Sequence, residues 1–134
     1  MWIAGIVLAD YFAGAWIRST INTSLPATAL GRYPALTGWL YWFDLVFGLA
    51  LVAYSEEVIF RRCPRHVFRS YLGDRHVLVL VTSVLFGGYH WWTGLGNIAE
   101  AILVGVLLML LLQRSGALWP AVVAHYLSDV TAFA

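Results

Sequence analysis

Lysine is missing from this sequence altogether, and charge of either sign is scarce: charged residues make up 11% of the chain, where a soluble domain carries about 25%. The basic residues are scattered arginines and the formal net charge is only +1, so no broad basic surface exists to hold a nucleic-acid backbone. Cysteine occurs once, at Cys63, which excludes an internal disulfide and a thiolate metal cluster. As a nucleophile Cys63 would need a base, and His66 is the only local candidate; a core or interface position is the simpler expectation. The N-terminus lacks the positively charged start of a cleavable signal, and Asp10 interrupts its apolar run, so Met1 to Ile17 is expected to stay as a membrane helix. At 134 residues the chain also has no room for two ordinary soluble domains.

What is present is overwhelmingly apolar: 61% of residues are hydrophobic and the mean hydropathy is +0.78, a membrane composition. Apolar stretches recur at Met1 to Ile17, Trp39 to Ala53, Val77 to Trp92, Ile98 to Leu112 and from Leu118 onward. The first is near the lower limit of the roughly 17 to 25 residues that crossing the hydrocarbon takes. Between the second and third lie Arg61, Arg62, Arg65, Arg69 and Arg75, which marks residues 61–75 as cytoplasmic. Arg18 to Gly38, rich in Ser, Thr and Asn with Pro26, Gly31, Arg32 and Pro34, reads as a loop on the opposite side, with or without a short interfacial helix. Pro64 is expected to bend or restart its helix, and Gly73-Asp74 to turn the chain. The expected fold is all-α: a polytopic membrane helix bundle of about five transmembrane helices. An N-terminal membrane helix and extracytoplasmic loop, 1–38, would precede a four-helix core, 39–134.

Charges inside such helices need a reason, because each costs roughly 2.5 to 3.5 kcal/mol at a helix centre on insertion scales. Glu56 and Glu57 are adjacent, so about 100° separates them around a helix and they meet different neighbours. Glu57 is four residues from Arg61 and can pair with it, leaving Glu56 for exposed chemistry. Glu56 precedes Gly73 by 17 residues and His90 follows it by 17, so an antiparallel hairpin brings the two to one depth, where they can hold a water. His125 and Asp129 share a face of the last helix, which must point into the bundle. Asp10 reads as a packing acid or a contributor near the site, with Arg18 too far along the helix to pair with it. Glu100 reads as a structural acid at a helix start.

Three segments together carry a resemblance. Glu56-Glu-Val-Ile-Phe-Arg61 is similar to the Glu-Glu-x-x-x-Arg motif of the CAAX-protease and bacteriocin-processing family of intramembrane glutamic proteases. Phe86-Gly-Gly-Tyr-His90 resembles its Phe-x-x-x-His motif, and His125-Tyr-Leu-Ser-Asp129 its final histidine with a polar residue four positions on; the likeness covers about residues 39 to 134. The resemblance implies an intramembrane endopeptidase needing no cofactor or metal, with Glu56 as general base and His90 positioning the water. His125 and residue 129 would stabilise the oxyanion, with Glu57 and Arg61 shaping the site. It implies a peptide or protein substrate entering from the membrane or the cytoplasmic side, prenylated, sorting-tagged or of bacteriocin type. The expected setting is a prokaryotic inner or plasma membrane, in contact with lipid, with the site toward the cytoplasm.

Two departures stand out. Asp129 occupies a position that is Asn in the best-understood members, and an ionised carboxylate repels an oxyanion, so Asp129 must be protonated or must orient His125. Family members commonly have about eight membrane helices; the helices missing here are absent, or replaced by an oligomer partner such as a second copy, or the chain is a minimal version. Two other classes use the same residues. A zinc metalloprotease could draw on Glu56, His90, His125 and Asp129 as ligands, although no His-Glu-x-x-His is present. A non-catalytic binding or transport-related protein would use them to line a polar path.

Overall fold

The computed structural model describes residues 1–25, 28–31, 33–73 and 76–134. Pro26 and Arg32 of the expected loop, Asp74 of the expected turn and Arg75 of the arginine cluster lie outside the described residues. Within them the fold is all-helical. Helix α1 covers residues 2–24 and α2 residues 38–72, each an unbroken rod containing widened π-helical turns. Helix α3 is His76–Tyr89, α4 is Leu95–Ser115 and α5 is Trp119–Phe133, with a short 3-10 turn at Trp91–Thr93. One of them, Leu95–Ser115, is long and apolar enough by length and composition to cross a membrane.

Helix α4 is the centre of the packing, in contact with α1, α3 and α5, while α5 also packs on α1 and α2. Its sequence explains why: neighbouring apolar positions project about 100° apart, so one rod serves two cores. Val104, Leu108 and Leu111 meet Ile6 of α1 and Ala121 and Ala124 of α5, whereas Met109 and Leu112 meet Leu78 and Val79 of α3. On α5 the buried residues Ala121, Ala124, His125 and Ser128 fall at helical spacing on one face. Small residues at the start of that face let α5 approach α4 and carry His125 inward.

One expectation is corrected and another is met. The segment Arg18 to Ser24 is helical, not loop: Ser19, Thr23 and Ser24 donate their hydroxyls to the carbonyls of Trp16, Ser19 and Thr20 at 3.0, 2.8 and 2.9 Å, so the side chains that favour turns are satisfied within the helix. Pro64 sits, as expected, in the first turn of the regular helix that restarts at Cys63 within the continuous α2 rod. A π-helical turn at Val58–Arg62 precedes it, with the Cys63 amide reaching back to the Val58 carbonyl; the extra residue makes room for a ring that would otherwise press on the preceding turn. Cys63 itself is exposed, not in a core.

Gly73, at φ 66°, ends α2 in a conformation that other residues adopt at a cost, and the chain turns back into α3. Phe60 of α2 then meets Phe86 and Tyr89 of α3 at ring-centroid distances of 5.4 and 5.3 Å, fixing the hairpin register. The two glycines near the end of α3 differ in use. A Cβ on Gly87 would collide with the Ile102 side chain and come within 2.8 Å of the Ile98 carbonyl on α4, whereas one on Gly88 meets nothing within 4 Å. Gly87→Ala should therefore destabilise the protein by about 1–3 kcal/mol by forcing α3 and α4 apart. Gly88→Ala should be neutral or stabilise by about 0.5–1 kcal/mol, as expected for Gly replaced within a helix. Thermal melts of the two variants in detergent check this, and equal effects would refute the close-approach role of Gly87.

Candidate active site

A cavity of about 550 Å³ opens among the helices, and Glu56, His90, His125 and Asp129 all line it. Each arrives on a different local device. Glu56 and Glu57 sit at the end of the regular turn of α2, just before the π-helical turn Val58–Arg62, and the step between them sends Glu56 to the cavity and Glu57 into the protein, where it is fully buried. His90 follows the last residue of α3; its Nδ1 donates to the Phe86 carbonyl one turn back at 2.9 Å. A carbonyl can only accept, so Nδ1 carries the proton and, in neutral His90, Nε2 is left as an acceptor.

Behind the cavity wall is a chain of buried charges. Arg61 Nη1 lies 3.3 Å from Glu57 Oε1, both residues almost wholly buried, and the guanidinium stacks over the Phe86 ring at 3.9 Å. The same Glu57 oxygen accepts from His125 Nδ1 at 2.9 Å. The other side of the imidazole faces two more carboxylates: Nε2 is 3.7 Å from Glu56 Oε2 and 3.7 Å from Asp129 Oδ2, ion-pair distances beyond a hydrogen bond. Phe86 stands edge-on to both imidazoles, with centroids at 4.9 Å from His90 and 5.6 Å from His125.

By spacing alone Glu57 goes with Arg61 and His125 with Asp129, as separate units. The structure joins them, and Glu57, not Asp129, holds His125 Nδ1. Nothing in the spacing of 57 and 125 signals that contact, since it depends on how α5 docks. Asp10, open in the sequence between packing and a place near the site, lines the cavity, and with it come Arg18 and Tyr33, which the sequence does not flag. Arg18 pairs with Glu100 at 3.1 Å, which gives Glu100 a partner other than the helix terminus. One signal was available: Asp10 and Gly14 on α1, like Asp44 and Gly48 on α2, are four apart, and each pair bounds a π-helical turn in which the carboxyl folds over the glycine. Tyr33 donates to Asp44 Oδ2 at 2.7 Å and packs on Phe133 at 4.7 Å. Its phenol is pushed up to about 12, by loss of surrounding water first and then by the hydrogen bond to and charge of Asp44. Among the described residues no group of three or more His, Cys, Asp or Glu side chains is arranged to hold a metal ion.

The fold is all-helical, with Glu56, His90 and His125 lining one cavity and Glu57 and Arg61 buried behind it. The family profile described as Type II CAAX prenyl endopeptidase Rce1-like matches residues 37–131, and the chain belongs to that family. Searches of curated proteins and of solved structures gave no match. The matched segment begins beside the start of α2 and ends within α5, so α1 and its loop lie outside it.

Removing Glu57 while leaving Arg61 strands a buried cation, a loss of about 3–5 kcal/mol in comparable buried pairs. Glu57→Ala should therefore lower stability by that order, and Glu57→Leu combined with Arg61→Met should recover most of it. Melts of the single and double variants test this; equal stability of the two would show that the pair is not what the fold depends on.

Proposed function

We propose that the chain is an intramembrane endopeptidase that hydrolyses a peptide bond of a membrane-associated, lipid-tagged or sorting-tagged substrate. The observation that carries this reading is the shared cavity: Glu56 and His90, from the two arms of a hairpin, line it together with His125 and Asp129 of α5. Glu56 takes a proton from a water that His90 Nε2 also holds, and the resulting hydroxide attacks the scissile carbonyl. His125 donates to the oxyanion from Nε2. Because Nδ1 already donates to Glu57, that donation requires the imidazolium, for which Glu56, Glu57 and Asp129 are the counter-charges. Collapse of the tetrahedral intermediate breaks the C–N bond as Glu56 returns the proton to the leaving amine. Asp129 acts in this scheme through the charge on His125 and not as the direct donor that asparagine would be.

The membrane reading extends to the whole bundle. Residues 2–24 and 38–72 are continuous helices, and large apolar side chains such as Phe12, Trp16, Trp42, Phe47, Leu51 and Leu80 are exposed on their outer faces and that of α3, where only lipid would cover them. We therefore read five membrane helices, an N-terminal unit 1–38 and a protease core 39–134, with the arginine-rich end of α2 on the cytoplasmic side.

Glu56→Gln should abolish cleavage of a membrane-embedded reporter peptide while leaving the melting temperature close to native; full residual hydrolysis would remove Glu56 as the base. His125→Ala should lower the rate by about 10²–10³-fold, as loss of one oxyanion donor does. Asp129→Asn should keep the rate within about tenfold of native, since an amide can donate directly to the oxyanion and Glu56 and Glu57 remain beside His125. A larger loss would show that the carboxylate charge itself is required.

A further inference from the structure

A second cavity, of about 820 Å³, lies between the first turns of α1 and the last turns of α4 and shares no lining residue with the site cavity. Its walls are apolar, with Trp2 and Ile6 on one side and Leu107 and Leu111 on the other, and Gln113 and Arg114 join them toward the end of α4. Gly5 leaves the groove open, since a Cβ there would meet nothing within 4 Å. Trp2 and Leu110 are both exposed, so the groove communicates with the outside of the bundle. Among the described residues no acid lines it.

Two polar groups in this apolar setting are left over. The Arg114 guanidinium stacks on the Trp2 ring at 4.5 Å and, among the described residues, pairs with no carboxylate. A cation in the last turn of a helix is favoured by the terminal carbonyls whatever else is near, so Arg114 alone would mark nothing. Gln113 is different: its Nε2 is shielded from water and, among the described residues, makes no hydrogen bond. A buried donor without an acceptor is costly, and the groove it borders is where an acceptor can come from.

We propose that this groove binds one anionic phospholipid, its phosphate accepting hydrogen bonds from Arg114 and Gln113 and an acyl chain lying along Ile6, Leu107 and Leu111. A guanidinium can hold two phosphate oxygens in parallel hydrogen bonds, the amide adds a further donor, and no carboxylate stands by to repel the phosphate or to hold the ammonium of a zwitterionic headgroup. Trp2 is the residue type that sits at the headgroup level. The location agrees: Leu72 near the end of α2 packs against the cluster of Met109 and Leu112, so the arginine-rich end of α2 and Arg114 share the end of the bundle read above as cytoplasmic, where anionic lipids give the membrane its negative surface. The inference rests on the membrane reading of the bundle and not on the peptidase chemistry. A lipid held there ties α1, which lies outside the matched segment 37–131, to α4, and these two helices carry Arg18 and Glu100 to the site cavity.

The test is native mass spectrometry of the purified full chain in detergent, with dioleoyl phosphatidylglycerol and dioleoyl phosphatidylcholine as probes. One phosphatidylglycerol per chain should be retained, about tenfold or more tightly than phosphatidylcholine, and Arg114→Gln should remove most of that preference. Gln113→Leu should weaken phosphatidylglycerol several-fold, and Gly5→Leu, which fills the groove and leaves both polar groups in place, should weaken both lipids. Arg62→Gln, at an exposed arginine outside the groove, should change neither. Equal binding of the two lipids to the native chain would overturn the proposal, as would a preference that survives Arg114→Gln. A loss in Arg62→Gln as large as that in Arg114→Gln would show general attraction to basic residues and overturn it too. Displacement of the lipid by equimolar glycerol 3-phosphate would mark a site for free phosphate, and a lipid-free dimer dissociated by Gly5→Leu would give the groove to a second copy of the chain; either result overturns the proposal. Peptide cleavage is not read in this experiment, so failure of the catalytic reading leaves its outcome standing.

Discussion

The buried ion pair between Glu57 and Arg61 is the constraint on which the rest of the site depends. Two charges taken from water cost more than they return unless their geometry is fixed and further partners are supplied. Here Phe86 of α3 covers the guanidinium and His125 of α5 donates to the carboxylate, while among the described residues Glu57 Oε2 and Arg61 Nη1 and Nη2 make no hydrogen bond, so the partners from other helices offset only part of the cost. Three helices are thereby held to one point. The pair also sets the tautomer of His125, since a proton on Nδ1 is what Glu57 accepts, and so decides which nitrogen is left to face the cavity.

Departures from regular helix geometry are used where the site needs them. The π-helical turn at Val58–Arg62 follows the two glutamates immediately and carries Arg61 inside while Arg62 stays exposed. Another, Asp44–Gly48, offers the Leu45 carbonyl to the Tyr126 hydroxyl of α5 at 3.2 Å, a bond between α2 and the helix that carries His125. Widened turns leave backbone acceptors and side-chain directions that an ideal helix does not have. Glycine supplies the complementary freedom: at Gly87 it lets α3 lie against α4, and at Gly14 it lets a carboxyl lie where a side chain would be.

Much of this was legible because strongly apolar helices leave few explanations for a charge. The Glu56-Glu57 pair, His90 and the His125–Asp129 pair stood out against an apolar background, and the equal spacing about Gly73 is matched by the contact between Phe60 and Phe86. The reading of Arg18 to Ser24 as loop failed because propensity was weighed without the hydroxyl-to-carbonyl bonds that a helix allows. Pro64 was legible as the restart of the regular helix, and a single residue gained in the preceding turn accommodates its ring. Asp10 stays open in the sequence between a packing acid and a contributor near the site, because the cavity it lines is built from helices far along the chain.

By itself the sequence determined which residues could be charged and buried, how they are spaced along each helix, and that Glu56 and Glu57 must part company. Those properties follow from composition and the 3.6-residue turn, and so are local. Only the tertiary structure decided that Glu57 serves Arg61 and His125 at once, and that α1 contributes Asp10 and Arg18 to a cavity shared with α5. Contacts of that kind depend on the rotation and depth at which helices dock, which small residues such as Ala121, Ala124 and Gly87 permit without specifying, so the Glu56-Glu57 step becomes a site only when α3 and α5 close around it.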